Sequence, residues 1–302
     1  MRIGLILDTS GSIDDVVDRA RRLAATGATS LWSTQIFGWD TLTAFAIVGR
    51  EVPGVELGTA VIPIHPRHPA ILAAQAATVQ AATGGRLVLG VGLSHQVVVE
   101  GIWGLSYEHP ARYMREYLSV LVPLLRGEPV EFEGELLKTH MAGPLETVGV
   151  SPPVVLVAAL GSAMLGIAGR QAGGTVTWMV GLKTLANHVV PTINAAAAEA
   201  GRPAPRIVVN LPVCVTADPE AALQLCGEFF AVYGQLPSYR AMLDREGAVG
   251  PPDVAIVGGE EEVAAAIAHL AEAGATEFCG AAFGTKEEIS RTQELLGELT
   301  AS

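Results

Sequence analysis

The chain has 302 residues, with 19 lysines and arginines against 31 aspartates and glutamates, for a formal net charge of −12. Half of it is apolar, which supplies a sizeable core and excludes a disordered chain; the acidic balance argues against nucleic acid, whose phosphates call for clustered Lys and Arg. Three scattered cysteines, Cys214, Cys226 and Cys279, suit neither a disulfide framework nor a four-thiolate zinc site, and fit a reducing, cytoplasmic setting.

The first apolar run, residues 3–7, stops at Asp8, too short for a signal peptide. No stretch reaches the roughly 18 apolar residues of a membrane span. Continuous β-branched and apolar runs predict strands at 3–7, 30–34, 55–62, 87–93, 154–159, 175–179, 207–216 and 277–283. Helical patterns rich in Ala and Gly lie between them, at 14–25, 41–50, 70–82, 111–125, 163–171, 185–200, 219–232 and 260–272. Several end in an Ala-Gly or Thr-Gly turn, as at Gly27, Gly84, Gly201 and Gly274, where glycine supplies the positive φ that stops a helix.

Eight strand–helix units in about 300 residues is the count of an α/β protein of the (β/α)8 TIM-barrel class. Two intervals break the rhythm, 94–153 and 233–257. The first carries alternating apolar and polar residues over 129–138, which predicts a hairpin turning around Gly134. Neither has linker composition, so 1–302 is expected to form one domain with two insertions. Chemistry is then expected at the carboxyl ends of the strands.

Four segments there are candidates. Asp8-Thr9-Ser10-Gly11-Ser12 resembles the D-x-S-x-S metal site of von Willebrand A adhesion modules, in which Mg2+ would take Asp8, Ser10 and Ser12; the plainer reading is a helix start capped by Ser10 or Ser12. Gly90-Val91-Gly92-Leu93-Ser94-His95 opens like a dinucleotide fingerprint but lacks its third glycine, and leaves a polar Ser94-His95 pair after an apolar strand. Ala158 to Ala163 ends a strand and opens a helix whose free amides around Gly161 and Ser162 suit an anion such as phosphate. His65 and His68 have metal-like spacing, but each precedes a proline, so no helix presents both to one metal, and Pro69 instead opens a helix. Cys279 lacks a neighbouring base, and no metal site is expected.

In order and spacing these segments resemble the luciferase-like monooxygenase superfamily, in particular its coenzyme F420-dependent oxidoreductases of actinobacterial type. The resemblance runs through Ile3-Gly4-Leu5, residues 27–32, Leu57-Gly58-Thr59-Ala60-Val61, Pro63, His68-Pro69-Ala70, residues 85–95, Val99-Glu100-Gly101, residues 113–118, Ala159-Leu160-Gly161 to Gly169, and Gly174-Thr175. It covers nearly the whole chain, the long insertion after strand four included.

The resemblance implies a barrel that binds F420, a deazaflavin, across its mouth. A non-prolyl cis peptide at Ala60–Val61, next to Thr59, would stand behind the ring. Gly92, Leu93 and Ser94 would touch the ring, Thr34 and Gln35 would bond to its edge, and Ala159, Leu160, Gly161 and Ser162 would hold the phosphate. His95 would donate a proton or hydrogen bond to substrate, and Trp39 and Trp103 would wall the substrate pocket. Sugar-phosphate dehydrogenases of the superfamily carry an acidic residue and a histidine where this chain has Gln35 and Ile36, and their catalytic glutamate falls at His95. The expected activity is therefore hydride transfer between F420 and another small organic substrate. The alternatives are an FMN-dependent monooxygenase, the Mg2+-dependent binding module, and a barrel that has lost its cofactor. The resemblance also implies a homodimer, with helices 41–50 and 70–82 as candidate faces.

Overall fold

A strand that is apolar on both faces needs cover on both sides, and a ring of parallel strands wrapped in helices provides it. The computed structural model describes residues 1–147, 149 and 151–300. Positions 148 and 150, within the expected insertion 94–153, and 301 and 302, at the end of the expected domain, lie outside the described residues.

The chain runs β1 (Arg2–Ile6), α1 (Ile13–Ala25), β2 (Ser30–Ser33), α2 (Thr41–Glu51), β3 (Glu56–Thr59), β4 (Ile62–Pro63), α3 (Pro69–Ala82) and β5 (Leu87–Gly92). The first insertion adds α4 (Gln96–Gly101), α5 (Pro110–Leu125) and the hairpin β6 (Val130–Glu133)–β7 (Lys138–Met141). Then come β8 (Val154–Ala158), α6 (Ser162–Gln171), β9 (Gly174–Trp178), α7 (Leu182–Thr184), a π-helical turn Leu185–Val189, α8 (Val190–Glu199) and β10 (Arg206–Val215). The chain closes with α9 (Pro219–Phe229), α10 (Pro237–Glu246), β11 (Ile256–Gly258), α11 (Glu260–Glu272), β12 (Glu277–Ala282) and α12 (Lys286–Glu298).

Parallel pairing runs β12-β1-β2-β3-β5-β8-β9-β10 and returns to β12, a closed ring of eight staves with β4 carrying on the third. The luciferase-like barrel expected from the sequence is therefore the observed fold. The eight predicted strands fall on the eight staves, and the third, expected unbroken over 55–62, divides into β3 and β4 around the cis Ala60–Val61 bond. The predicted hairpin forms, with Glu133 opposite Lys138 and Gly134 N–H donating to the Leu137 carbonyl. The Glu116 carboxylate on α5 accepts backbone N–H groups from Glu135, Leu136 and Leu137 and pins that turn.

Alternate residues separate two cores. Ile3, Leu5, Leu31, Leu57, Leu89, Val157, Val209 and Phe278 face outward into the main apolar layer beneath the helices. Trp32, Val88, Leu156, Val176, Val208 and Cys279 face inward and fill the bore. Trp32 is fully buried, and room for its indole comes from glycines on the flanking staves: a Cβ at Gly4 would lie 3.0 Å from the ring, and one at Gly58 2.3 Å from it.

Below the indole, Trp32 Nε1 donates to the Ser30 hydroxyl and to Glu277, each at 2.9 Å. Glu277, fully buried, is paired with Arg206, which also bonds Glu56 and stacks 5.5 Å over the Trp32 ring. Burial of this charge is tolerable because each partner is hydrogen-bonded. With this paired network at the lower end, chemistry is expected at the opposite, carboxyl-end mouth of the barrel.

Candidate active site at the barrel mouth

Three neighbouring staves build one side of the mouth. The third breaks at the cis Ala60–Val61 bond. The Thr34 hydroxyl donates to the Ala60 carbonyl at 2.9 Å, and Ala60 N–H donates to the Ser33 carbonyl at 2.8 Å, so the bulge is tied to β2. On its other side Thr59 exchanges hydrogen bonds with Gly90, its hydroxyl donating at 2.8 Å and accepting at 2.9 Å. Thr59 is fully buried, so its side chain supports the bulge from behind and does not reach the mouth. Gly92 on the fourth stave lets Val61 sit against the strand, since a Cβ there would lie 2.5 Å from Val61 Cγ2.

The fourth stave then turns through Ser94, whose φ of +61° is left-handed, into His95 at the start of α4. The His95 ring makes no hydrogen bond among the described residues and packs at 5.6 Å on Tyr239 of α10. Burial holds its pKa below the usual histidine value, which keeps the imidazole neutral near pH 7. The Tyr107 hydroxyl, at 3.4 Å, leans toward the Ser94 carbonyl.

On the fifth stave, Ala159 to Ser162 form the turn into α6. Thr175 donates to the Val157 carbonyl at 2.8 Å, and the His188 ring is bonded at 2.8 Å to the Leu160 carbonyl. The turn is thus fixed from behind while its front stays open. Gly161, the N-cap of α6, provides no side-chain cap, Gly161 and Ser162 are exposed, and a Cβ at Gly161 would meet nothing within 4 Å. The first amides of a ten-residue helix are therefore free for an anion, as the sequence suggests.

Other expected residues take different places. Gln35 turns its amide away from the bulge: Oε1 accepts from Thr41 N–H at 2.7 Å and Nε2 donates to the Ile36 carbonyl at 3.3 Å. Trp39 Nε1 donates to the Gly11 carbonyl at 2.7 Å, and Ile36, Phe37 and Trp39 form an exposed apolar rim. Trp103 follows α4, half-buried, and bonds through its backbone to Val98.

The D-x-S-x-S segment does not converge on a cation site. Ser12 caps α1 in a reciprocal box with Asp15, Ser10 donates to Asp8 at 2.6 Å, and Arg19 pairs with Asp8 at 3.8 Å. His68 caps α3 through Nδ1, while His65 stacks between Tyr107 and Tyr113, so the two histidines have separate roles. All three cysteines are buried, and burial raises each thiol, Cys214 to about 11 and Cys226 to about 12, which makes them poor nucleophiles.

Sequence reasoning passed over the far wall. There Trp178, Phe230, Tyr233, Tyr239 and Phe283 form an edge-to-face aromatic cluster. Asn210, only 3% exposed, stands on β10 with its Oδ1 unbonded. A lone amide in the apolar run Ile207-Val208-Val209-Asn210-Leu211 is the signal that would have marked it.

The chain matches the luciferase-like monooxygenase family over residues 1–277 and belongs to it. The 5,10-methylenetetrahydromethanopterin reductase of Methanolobus tindarius is 25% identical over 261 residues, 86% of this chain and 78% of that protein. The structure of the coenzyme F420-dependent tetrahydromethanopterin reductase of Methanopyrus kandleri superposes with a TM-score of 0.83 at 22% identity, covering 99% of this chain and 98% of that one. The oxygenating constituent of 3,6-diketocamphane monooxygenase from Pseudomonas putida, in complex with FMN, gives 0.78 at 18% identity, covering 100% and 98%. Both structural likenesses are likenesses of fold.

Proposed function

We propose that this protein is an F420-dependent oxidoreductase that moves a hydride between the deazaflavin and a small organic substrate. The observation that carries the reading is the open, uncapped turn at Gly161, held from behind by Thr175 and His188 beside the Ala60–Val61 bulge. The residues present fit such a cofactor: the uncapped α6 amides can donate to a phosphate, Gly92 leaves room for Val61 of the bulge against the fourth stave, and Asn210 keeps a free buried acceptor. The likeness to the methylenetetrahydromethanopterin reductase of Methanolobus tindarius, 25% identical over most of the chain, and to the coenzyme F420-dependent reductase of Methanopyrus kandleri favours F420.

In this reading Ala159, Leu160, Gly161 and Ser162 hold the phosphate, and Gly92, Leu93, Ser94, Ala60 and Val61 seat the ring. Thr34 anchors the bulge. A bound deazaflavin supplies a two-electron hydride acceptor or donor. His95, kept neutral by burial, takes the proton of a substrate hydroxyl on oxidation or returns it on reduction. The aromatic wall and the apolar rim at Ile36, Phe37 and Trp39 keep water from the reacting centre.

The test is titration of purified protein with F420 and with FMN, followed by fluorescence quenching. F420 binding supports the reading; FMN binding with no F420 response assigns the protein to the flavin monooxygenases instead, the reading favoured by the FMN-bound Pseudomonas neighbour. Replacing His95 by Ala is expected to lower turnover at least about a hundredfold with cofactor affinity within about threefold. Unchanged turnover removes the role of His95. A homodimer across α2 and α3, where Ile47 and Ile71 are exposed, completes the proposal and is checked by light scattering.

A further inference from the structure

Asn210 is a buried residue of β10 that faces the barrel interior. Strand alternation fixes its direction: Val208 faces the bore, so Asn210, two residues on, faces inward one layer higher, while Val209 and Leu211 face the outer core. Its stave stands across the barrel from the bulge, since β10 and β3 lie four places apart in the ring of eight. Its register partners are Trp178 on β9 and Cys279 on β12. Trp178 Nε1 is buried near the Tyr233 hydroxyl without closing a hydrogen bond of normal geometry, and the Asn210 amide makes no side-chain hydrogen bond among the described residues.

An amide 97% buried and unbonded opposes folding unless something arrives to pair with it. It offers one acceptor, Oδ1, beside one donor, Nδ2. The complementary edge is a cyclic imide, an N–H beside a carbonyl, which the pyrimidinedione ring of both deazaflavins and flavins presents. We propose that Asn210 binds this imide edge, Oδ1 accepting the ring N–H and Nδ2 donating to the adjacent carbonyl. The inference rests on the cofactor reading above and gives the binding site a contact on the wall that faces the bulge. It also accounts for a single polar residue in the apolar interior run of β10.

The experiment compares wild type, Asn210→Leu and Asn210→Asp. Dissociation constants for F420 and for FMN come from fluorescence quenching, and thermal midpoints are taken without cofactor. Leu matches Asn in branching and heavy-atom count, is somewhat bulkier and leaves nothing unbonded, so its midpoint is expected to stay close to that of wild type while cofactor affinity falls about tenfold or more. Asp keeps the acceptor, loses the donor and turns an anion toward a carbonyl, so its affinity falls as well. Wild-type affinity in either variant overturns the proposal and leaves the cofactor reading standing. A wild type that binds neither F420 nor FMN overturns both. If the Leu variant does not fold, the Asp variant decides by the same affinity criterion.

Discussion

Trp32 fills the bore only because Gly58 lacks a side chain, and the consequence of adding one is calculable. A methyl at Gly58 would lie 2.3, 2.4 and 2.5 Å from three atoms of the indole, too close for any real contact. The ring has little room to retreat: it is fully buried, its Nε1 is bonded to Ser30 and Glu277, and Arg206 covers one face. Overpacking of this kind costs about 1–3 kcal/mol. If the ring moves, the buried Glu277 carboxylate also loses a donor, which costs about 1.5–3 kcal/mol. The expected penalty for Gly58→Ala is therefore about 2.5–6 kcal/mol. At roughly 2 °C per kcal/mol for a chain of this length, the thermal midpoint falls by about 5–12 °C. Gly38→Ala, where a Cβ meets nothing, serves as the control and is expected to stay within about 1 °C. In a Trp32→Phe background the smaller ring makes room, so Gly58→Ala should cost at least about 2 kcal/mol less than in wild type. A Gly58→Ala midpoint matching that of the Gly38→Ala control refutes the packing account.

Gly161→Asp separates the fold from the site: a carboxylate at this N-cap stabilises α6 by a few tenths of a kcal/mol, yet repels a bound phosphate, so the midpoint holds or rises while cofactor affinity falls at least about tenfold. Equal affinity would remove the anion site from this turn. Ser12→Ala breaks the capping box of α1 and is expected to cost about 1 kcal/mol, with no further change on adding a chelator; a wild type destabilised by chelation would restore the cation reading of that segment. Acid should act through His65 and His95, both held below the usual histidine value by burial. Each is neutral when folded while the unfolded residue titrates near pH 6.5, so their stabilisation is present above about pH 6.5 and lost as pH falls through the lower folded values. His140, raised by its hydrogen bond to Glu131 and by Glu133, acts in the opposite sense, stabilising below that pH and losing its effect as pH rises. Denaturant midpoints from pH 5 to 8 check this: His95→Ala should flatten the acid slope, and an unchanged slope contradicts the assignment.

The staves were legible because a barrel strand is apolar on both faces, which leaves the plain runs seen at residues 87–93 and 207–216. The cap at Ser12 and the open turn at Gly161 were legible because both are decided within a few residues. What escaped was decided at long range. The three-residue strand β11 gains its identity only by pairing with Val213, Cys214 and Val215, and its run Ile256-Val257-Gly258 is too short to stand out. The aromatic wall joins Trp178 on one stave to Phe230 and Tyr233 just after α9 and to Phe283 just after β12, and no periodicity relates the three segments.

The seventh strand changes neighbours partway up. From Arg206 to Asn210 it is bonded to β9, and from Val213 to Val215 to β11 instead. The foundation of the ring is thus common to all eight repeats, whereas one sector of its parapet is borrowed from the excursion between α9 and α11. Lengthening, trimming or exchanging that excursion would re-cut the doorway without unzipping a single rung below Asn210, so a lineage can change what enters while inheriting the same vessel.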